Sequence, residues 1–294
     1  MKRASFLEHV AWTGAGIAYT LGAGGLLAGR SLANSSGTVE FVQISDSHIG
    51  FHQAANPDVS ATLKMAVDAI NAMPAQPSFV VHTGDITHLS TPAQFDDARA
   101  ILSTLKAPLI ALPGEHDVIG NDFATYLSNF KIPHSAAGGW ASWDQNGIHY
   151  IVLLNVFNFE KMGLMGADQL GWLAKDLSSV AKTTPVVVFT HVPLYALFPQ
   201  WGWTTEDGSK ALAMLQPFEH VTVLNGHIHQ IVTHQEGNIR FASADATAYP
   251  QPKPGSAPKP GPVTLPHDDL LRAIGYRTVE IDDGNLRFED RPLG

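Results

Sequence analysis

Val39-Glu40-Phe41-Val42-Gln43-Ile44 runs directly into Ser45-Asp46-Ser47-His48, and this junction sets the pattern for the whole chain. A short apolar run reads as a buried strand, and metal- or proton-binding groups follow it at once. The same event recurs four times. Phe79-Val80-Val81 leads to Gly84-Asp85, and Leu109-Ile110-Ala111-Leu112 leads to Gly114-Glu115-His116-Asp117. Val186-Val187-Val188-Phe189 leads to His191, and Val221-Thr222-Val223-Leu224 to Asn225-Gly226-His227-Ile228-His229. Ionisable groups set beside buried strands are costly unless they are paired or hold metal. Open α/β sheets assemble their sites at the carboxyl ends of strands, so five such junctions predict one shared site. If Asp-x-His and His-x-His are extended, the two side chains of each point the same way and reach one ion.

Helical signals separate these strands. Asn56-Pro57 reads as an N-cap with proline at the first helical position, ahead of Val59, Leu63, Val67 and Ile70 at helical spacing. Thr91-Pro92 opens a second helix, and residues 168–177 form a third with Leu170, Leu173 and Leu177 on one face. Two hairpins are expected. One joins residues 140–143 to 148–154 through Asp144-Gln145-Asn146-Gly147, and the other joins 277–281 to 286–289 through Asp282-Asp283-Gly284-Asn285. Residues 251–266 are dominated by proline and read as an extended loop. With no internal repeat and no linker, residues 34–294 read as one domain.

The 294 residues are 45% hydrophobic and 15% charged, which excludes a disordered or fibrous chain. They include no cysteine, so disulfides, thiolate metal sites and a thiol nucleophile are excluded together. A metal site must then use His, Asp, Glu or Asn, donors suited to iron, manganese or zinc. Lys2, Arg3 and Arg30 against Glu8 give the first 33 residues a net of +2, leaving −11 on the rest from a total of −9. So acidic a body repels a nucleic acid polymer. The first 33 residues read as an export signal. Lys2 and Arg3 precede an uncharged stretch over residues 10–29, and Ser31-Leu32-Ala33 offers small residues for cleavage. Lys2-Arg3-Ala4-Ser5-Phe6-Leu7 resembles a twin-arginine signal, departing from it by lysine in place of the first arginine and one extra residue before Phe6. The expected location is periplasmic or secreted, with membrane contact only through an uncleaved N-terminus; nothing in the sequence sets an oligomeric state.

Taken in order, the five junctions resemble the motifs of the calcineurin-like metallophosphoesterases: D-x-H, G-D, G-N-H-[DE], a lone H, and G-H-x-H. The resemblance runs from about Val39 to His229. It implies an α/β fold, a four-layer αββα sandwich of two mixed β-sheets flanked by helices, with two metal ions at one edge. Carried over by motif, Asp46, His48, Asp85 and His229 hold one metal. Asp85 bridges to the second, which Glu115, His191 and His227 complete. The implied activity is hydrolysis of a phosphate mono- or diester. A hydroxide bridging cations ~3.5–4 Å apart attacks, His116 is the general acid, and Asp117 orients its ring. His88, Tyr195, Trp201 and Trp203 are candidates to contact the small phosphate-ester substrate, the aromatic residues as a wall selecting an apolar or planar leaving group.

Glu115 departs from the family's asparagine. Asp46, Asp85 and Glu115 set against two divalent ions leave +1, which a bridging hydroxide cancels. A trivalent iron in one position restores attraction for phosphate; alternatively Glu115 turns away or merely replaces one oxygen ligand by another. Gly226-His227-Ile228-His229-Gln230 also resembles a segment of bacterial cyclic-nucleotide phosphodiesterases. The competing class is a non-catalytic metal- or ligand-binding module on the same fold, which predicts missing ligands; here every position carries a residue able to ligate.

Overall fold

Strands that are apolar on both faces need cover on both sides, and the alternation along each strand shows which cover each face receives. The computed structural model describes residues 39–294 apart from 121–122, 137, 158, 160–161 and 283–284. The expected signal, residues 1–33, lies outside the described residues. The chain opens with β1 (Val39–Ile44), α1 (Val59–Asn71), β2 (Phe79–His82), α2 (Pro92–Leu102), β3 (Leu109–Ala111) and α3 (Phe123–Asn129). Next come β4 (Ala141–Gln145), β5 (Ile148–Val152), α4 (Ala167–Leu177), β6 (Val186–Phe189), α5 (Gly208–Leu215) and β7 (Val221–Asn225). It closes with β8 (Thr233–Glu236), β9 (Ile239–Ser243), α6 (His267–Ala273), β10 (Gly275–Asp282) and β11 (Asn285–Pro292).

Two mixed sheets result, in the orders β11-β10-β1-β2-β3 and β4-β5-β6-β7-β9-β8. Phe41, Phe79, Val81 and Val279 of the first pack against Tyr150, Val152, Phe189 and Leu224 of the second. On the opposite faces, Val42, Ile44 and Val80 meet Leu63 and Val67 of α1 and Phe95 of α2. Ile151, Val188 and Val223 meet Leu173 of α4 and Leu215 of α5. The expected four-layer sandwich is therefore present. β1–β3 run parallel, as do β5, β6, β7 and β9, so all five junctions emerge at strand carboxyl ends.

Local signals hold with small corrections. Thr91 caps α2, accepting from Gln94 N at 3.3 Å, with Pro92 at the first helical position. The cap of α1 is Asp58, which accepts from Ala61 N at 2.9 Å, rather than Asn56. Asn56 is occupied otherwise: Oδ1 accepts from Asp58 N and Nδ2 donates to Ala248 O at 2.7 Å. Both hairpins form, the first across Asn146 and Gly147 at φ 51° and 77°, the pair of positive φ angles a two-residue hairpin turn requires. Residues 251–266 contain no helix or strand, as expected. The β8–β9 hairpin, turning at Gly237 and Asn238, has no counterpart in the sequence reading because its exposed strand β8, Thr233–Glu236, is polar throughout.

His149 on β5 lies between two carboxylates, Nδ1 2.8 Å from Asp144 Oδ1 and Nε2 2.8 Å from Asp176 Oδ2. Burial opposes its protonation, but hydrogen bonds to Asp176 and Asp144 raise its pKa above the usual value, and the pair holds Asp176 below its own against burial. A raised histidine contributes stability in full below its unfolded pKa and loses it as pH rises through the folded value. Asp176 contributes above its unfolded pKa and loses that as pH falls. His149→Gln is therefore expected to cost ~1–3 kcal/mol near pH 6, the gap to wild type narrowing as pH rises, as denaturant melts across pH would measure.

Candidate metal centre

Two buried donor groups share one carboxylate. Asp46, His48, Asp85 and His229 form the first and Asp85, Glu115, His191 and His227 the second, with the ligand atoms of each group within 4.8 Å of one another. The loops after β1 and β2 run side by side, Asp46 N donating to Gly84 O at 3.0 Å and His48 N to Asp85 O at 2.9 Å. The loop after β3 docks on Asp85 through His116 N to Oδ1 at 2.9 Å. The loop after β7 docks on Asp46 through His227 N, 3.1 Å from both carboxylate oxygens.

These side chains arrive by backbone strain, not by strand parity. Asp46, His48, Asp85, His227 and His229 have φ of 51°, 43°, 54°, 69° and 50°, a region that costs a non-glycine residue of order 1–3 kcal/mol and recurs at functional sites. The expectation from extended backbone is thus corrected. Asp46 and His48 do reach one group, but His229 joins them while His227 enters the other. Three glycines leave room for the ligands. A Cβ on Gly84, itself at φ 103°, would lie 2.3 Å from His191 Nδ1; one on Gly114 would lie 2.1 Å from Asp85 Oδ1, and one on Gly226 2.8 Å from Asp46 Oδ2.

The donor chemistry fits metal. His191 Nδ1 donates to Thr83 O and His229 Nδ1 to Tyr249 O, each at 2.7 Å, which leaves both Nε2 atoms as lone pairs in the neutral rings. Those lone pairs face other acceptors: His229 Nε2 is 3.1 Å from His48 Nε2 and 3.5 Å from Asp46 Oδ1. His191 Nε2 is 2.8 Å from Glu115 Oε2 and 3.6 Å from Asp85 Oδ2. Acceptors so close together need a cation between them, a proton or a metal. His227 is the sharper case. Its Nδ1 lies 3.0 Å from Glu115 Oε1 without an aligned hydrogen bond, and its Nε2 is buried with no partner, a cost removed by coordination.

Electrostatics point the same way. Burial opposes both charges, yet Asp85 and Glu115 raise His191 well above the ordinary histidine range, while His227 and His191 hold Glu115 well below the carboxylate range. Burial and the neighbouring His116 and His229 keep His48 well below its usual value, so it is neutral and free to ligate. Glu115 has not turned away: its two oxygens sit against His191 and His227.

Beyond the ligands, His116 Nδ1 donates to His88 O at 2.7 Å, leaving Nε2 to face outward from the ring. Asp117 does not orient that ring, contrary to expectation. Its carboxylate accepts from the amides of Ile86, Thr87 and Gly114 and from the Thr87 hydroxyl, and so locks the β3 loop to the β2 loop. Turning the carboxylate to His116 would strand those buried amides. His88 is brought to the site: its ring stacks on His116 at 4.9 Å, and its Nδ1 lies 3.3 Å from His48 Nδ1.

The aromatic wall is corrected in part. Trp203 is buried with Ile228 and Val232 behind the ligand loop, with Trp201 packed on it at 5.1 Å, because Ile228 projects away from the two histidines it separates. Tyr195 stacks on His234 and packs at a tilt of 50° against Phe241 on the outer side of the second sheet. Tyr249, absent from the sequence reading, takes that closer position, its ring 5.1 Å from His48 and 4.8 Å from His229. It follows no motif and stands just before the proline-rich loop, so no spacing signalled it.

Fold and site together present two adjoining donor groups able to hold metal ions beside the carboxyl ends of parallel strands. A family model described as calcineurin-like phosphoesterase matches residues 39–231, well over half of the chain, and the protein belongs to that family. It is 26% identical over 206 residues to the glycerophosphodiester phosphodiesterase GpdQ of Enterobacter lignolyticus, covering 66% of this chain and 71% of that one. It is 25% identical over 275 residues to a probable cyclic nucleotide phosphodiesterase of Synechococcus, covering 88% and 94%. A dimetal phosphatase from Danio rerio superposes with a TM-score of 0.68 at 13% identity, covering 86% of this chain and 96% of that one, a likeness of fold.

Proposed function

We propose that this protein is an exported hydrolase of small phosphate esters, diesters foremost, with two metal ions in the adjoining donor groups. The observation that carries this reading is the sharing of Asp85 between two buried donor groups, in one of which both ring nitrogens of His227 lie buried without a hydrogen-bond partner. The names of the curated relatives, a glycerophosphodiester and a cyclic nucleotide phosphodiesterase, favour a small diester. A non-catalytic module is disfavoured, because no ligand position is vacant and His116 stands beside both groups. Asp46, His48, Asp85 and His229 would hold one ion and Asp85, Glu115, His191 and His227 the other. Bound there, the metals supply Lewis acidity to the phosphoryl oxygens and lower the pKa of water.

The chain's own residues do the rest. His116, fixed through Nδ1 by the His88 carbonyl, presents Nε2 to protonate the leaving oxygen. Asp117 holds the loop that carries His116. Glu115 adds a third carboxylate to Asp46 and Asp85 and so raises the demand for positive charge. That favours a trivalent iron in its group; full activity with two divalent ions would count against iron. For export, the mature chain is expected to begin at Asn34, as N-terminal sequencing of the periplasmic or secreted fraction would show.

The test of the catalytic reading is turnover of bis-p-nitrophenyl phosphate and p-nitrophenyl phosphate by protein loaded with iron, manganese or zinc. His116→Ala is expected to retain two metals and to lose ~10²–10⁴-fold in kcat. Unchanged kcat in that variant would remove His116 as the acid. No metal-dependent turnover of either compound, together with failure to bind two metals, would favour the binding module.

A further inference from the structure

Four large apolar side chains are exposed among the described residues: Met65 at 38%, Leu89 at 52%, Phe159 at 45% and Met162 at 38%. Met65 lies on α1, Phe159 meets the candidate acid, and Leu89 lies in the chain between His88 and Ser90, which both hydrogen-bond to that residue. Phe159 meets the His116 ring edge-on, centroids 5.9 Å apart at 85°. Leu89 follows His88, whose ring stacks on the other partner of the same contact, His116, at 13°. Met162 closes the segment that carries Phe159, pairing with Val156 across an antiparallel bridge.

The base of that segment is held. Gly163 N and Leu164 N both donate to Asn155 O, at 2.7 and 3.1 Å. Buried Asn155 in turn donates to Val192 O and Thr205 Oγ1 and accepts from Val192 N. Leu89 is tied by its amide to Gln94 Oε1 at 2.7 Å. Phe159, on the ring of His116, and Leu89, next to the His88 carbonyl that holds that ring, leave apolar side chains in water on the His116 side of the donor groups.

The chemistry decides what covers it. A general acid protonates the oxygen that departs, so the leaving alcohol sits on the side of His116 and not across the metal groups from it. We propose that Phe159 and Leu89 form the leaving-group subsite and select esters of apolar alcohols, alkyl or aryl, over esters of polar ones such as glycerol or a nucleoside. This rests on the phosphoesterase reading of the site with His116 as acid. It also moves the expected apolar selection from Tyr195 and Trp203, which pack into the fold, to the residues around His116.

The experiment uses metal-loaded enzyme and dibutyl, dihexyl and dioctyl phosphate below their aggregation limits, with glycerophosphoglycerol as the polar comparison and bis-p-nitrophenyl phosphate as the activity control. The alkyl alcohols have nearly equal pKa, so differences report binding of the chain and not intrinsic reactivity. kcat/KM is expected to rise by up to about fourfold per methylene buried and to exceed that for the glycerol ester. Phe159→Ser and Leu89→Ser are expected to flatten this dependence while each keeps two metals per chain. A flat dependence in wild type, a preference for the glycerol ester, or an unaltered slope in both variants would overturn the proposal. No turnover even of bis-p-nitrophenyl phosphate by enzyme holding two metals would overturn the parent reading and this inference with it.

Discussion

Asp85→Asn is expected to strip both donor groups of metal and to lower kcat/KM by at least ~10³-fold, the upper range for loss of one electrostatic stabiliser. Asp85 is the one residue common to both groups. Its Oδ2 faces His48 at 3.5 Å and His191 at 3.6 Å, while Oδ1 accepts from His116 N. An amide there lacks the negative charge that lets two cations sit side by side. It also brings an N–H toward either a histidine lone pair or the His116 amide. The effect should exceed that of replacing any residue confined to one group, because those leave the other group complete. Metal analysis and melting read it independently of turnover. A ligand that binds only the folded state stabilises by mass action, so chelator should lower the melting temperature of wild type and leave that of Asp85→Asn unmoved. A variant that still bound two ions would sink the shared role.

Gly84→Ala should damage both stability and the second donor group. The residue sits at φ 103°, and an added Cβ would lie 2.3 Å from His191 Nδ1 and 2.9 Å from Gly114 N. His191 cannot retreat without giving up its hydrogen bond to Thr83 O, and Gly114 begins the turn that carries Glu115 and His116. Backbone strain and overpacking together are expected to cost ~2–5 kcal/mol, a fall of roughly 5–15 °C in melting temperature for a chain this size. Gly255→Ala is the control. It shares a positive φ of 74° but meets nothing within 4 Å, so it bears strain alone and should cost about 1 kcal/mol. Equal losses in the two variants would show that strain and not crowding against His191 is responsible.

The sequence carried most of the fold because the governing signals are local. Val186-Val187-Val188-Phe189 is apolar at every position, which only a strand covered on both faces tolerates, and the structure covers it with a sheet on one side and helices on the other. Thr91-Pro92 determined where α2 starts through one hydroxyl and one fixed φ. The seven candidate ligands were named through the resemblance of the junctions to the family's motifs; the residues by themselves marked only the five places where ionisable groups follow a buried strand. A carboxylate or imidazole directly after a buried strand carries its cost of desolvation in the sequence itself.

What only the tertiary structure decided is where those side chains point and what surrounds them. The left-handed backbone at His227 and His229, which sends neighbours in one motif to different groups, comes from contacts across 181 residues, such as His227 N to Asp46. Asp117 stands next to His116 in the chain, yet its carboxylate is claimed by amides about 30 residues earlier. Tyr249 reaches His48 and His229 from beyond the last motif. Phe159 becomes the neighbour of His116 only when its loop closes at Val156 and Met162. Periodicity and caps depend on residues three or four apart and can be read from the chain. The direction of a side chain at the site depends on partners that only folding brings near.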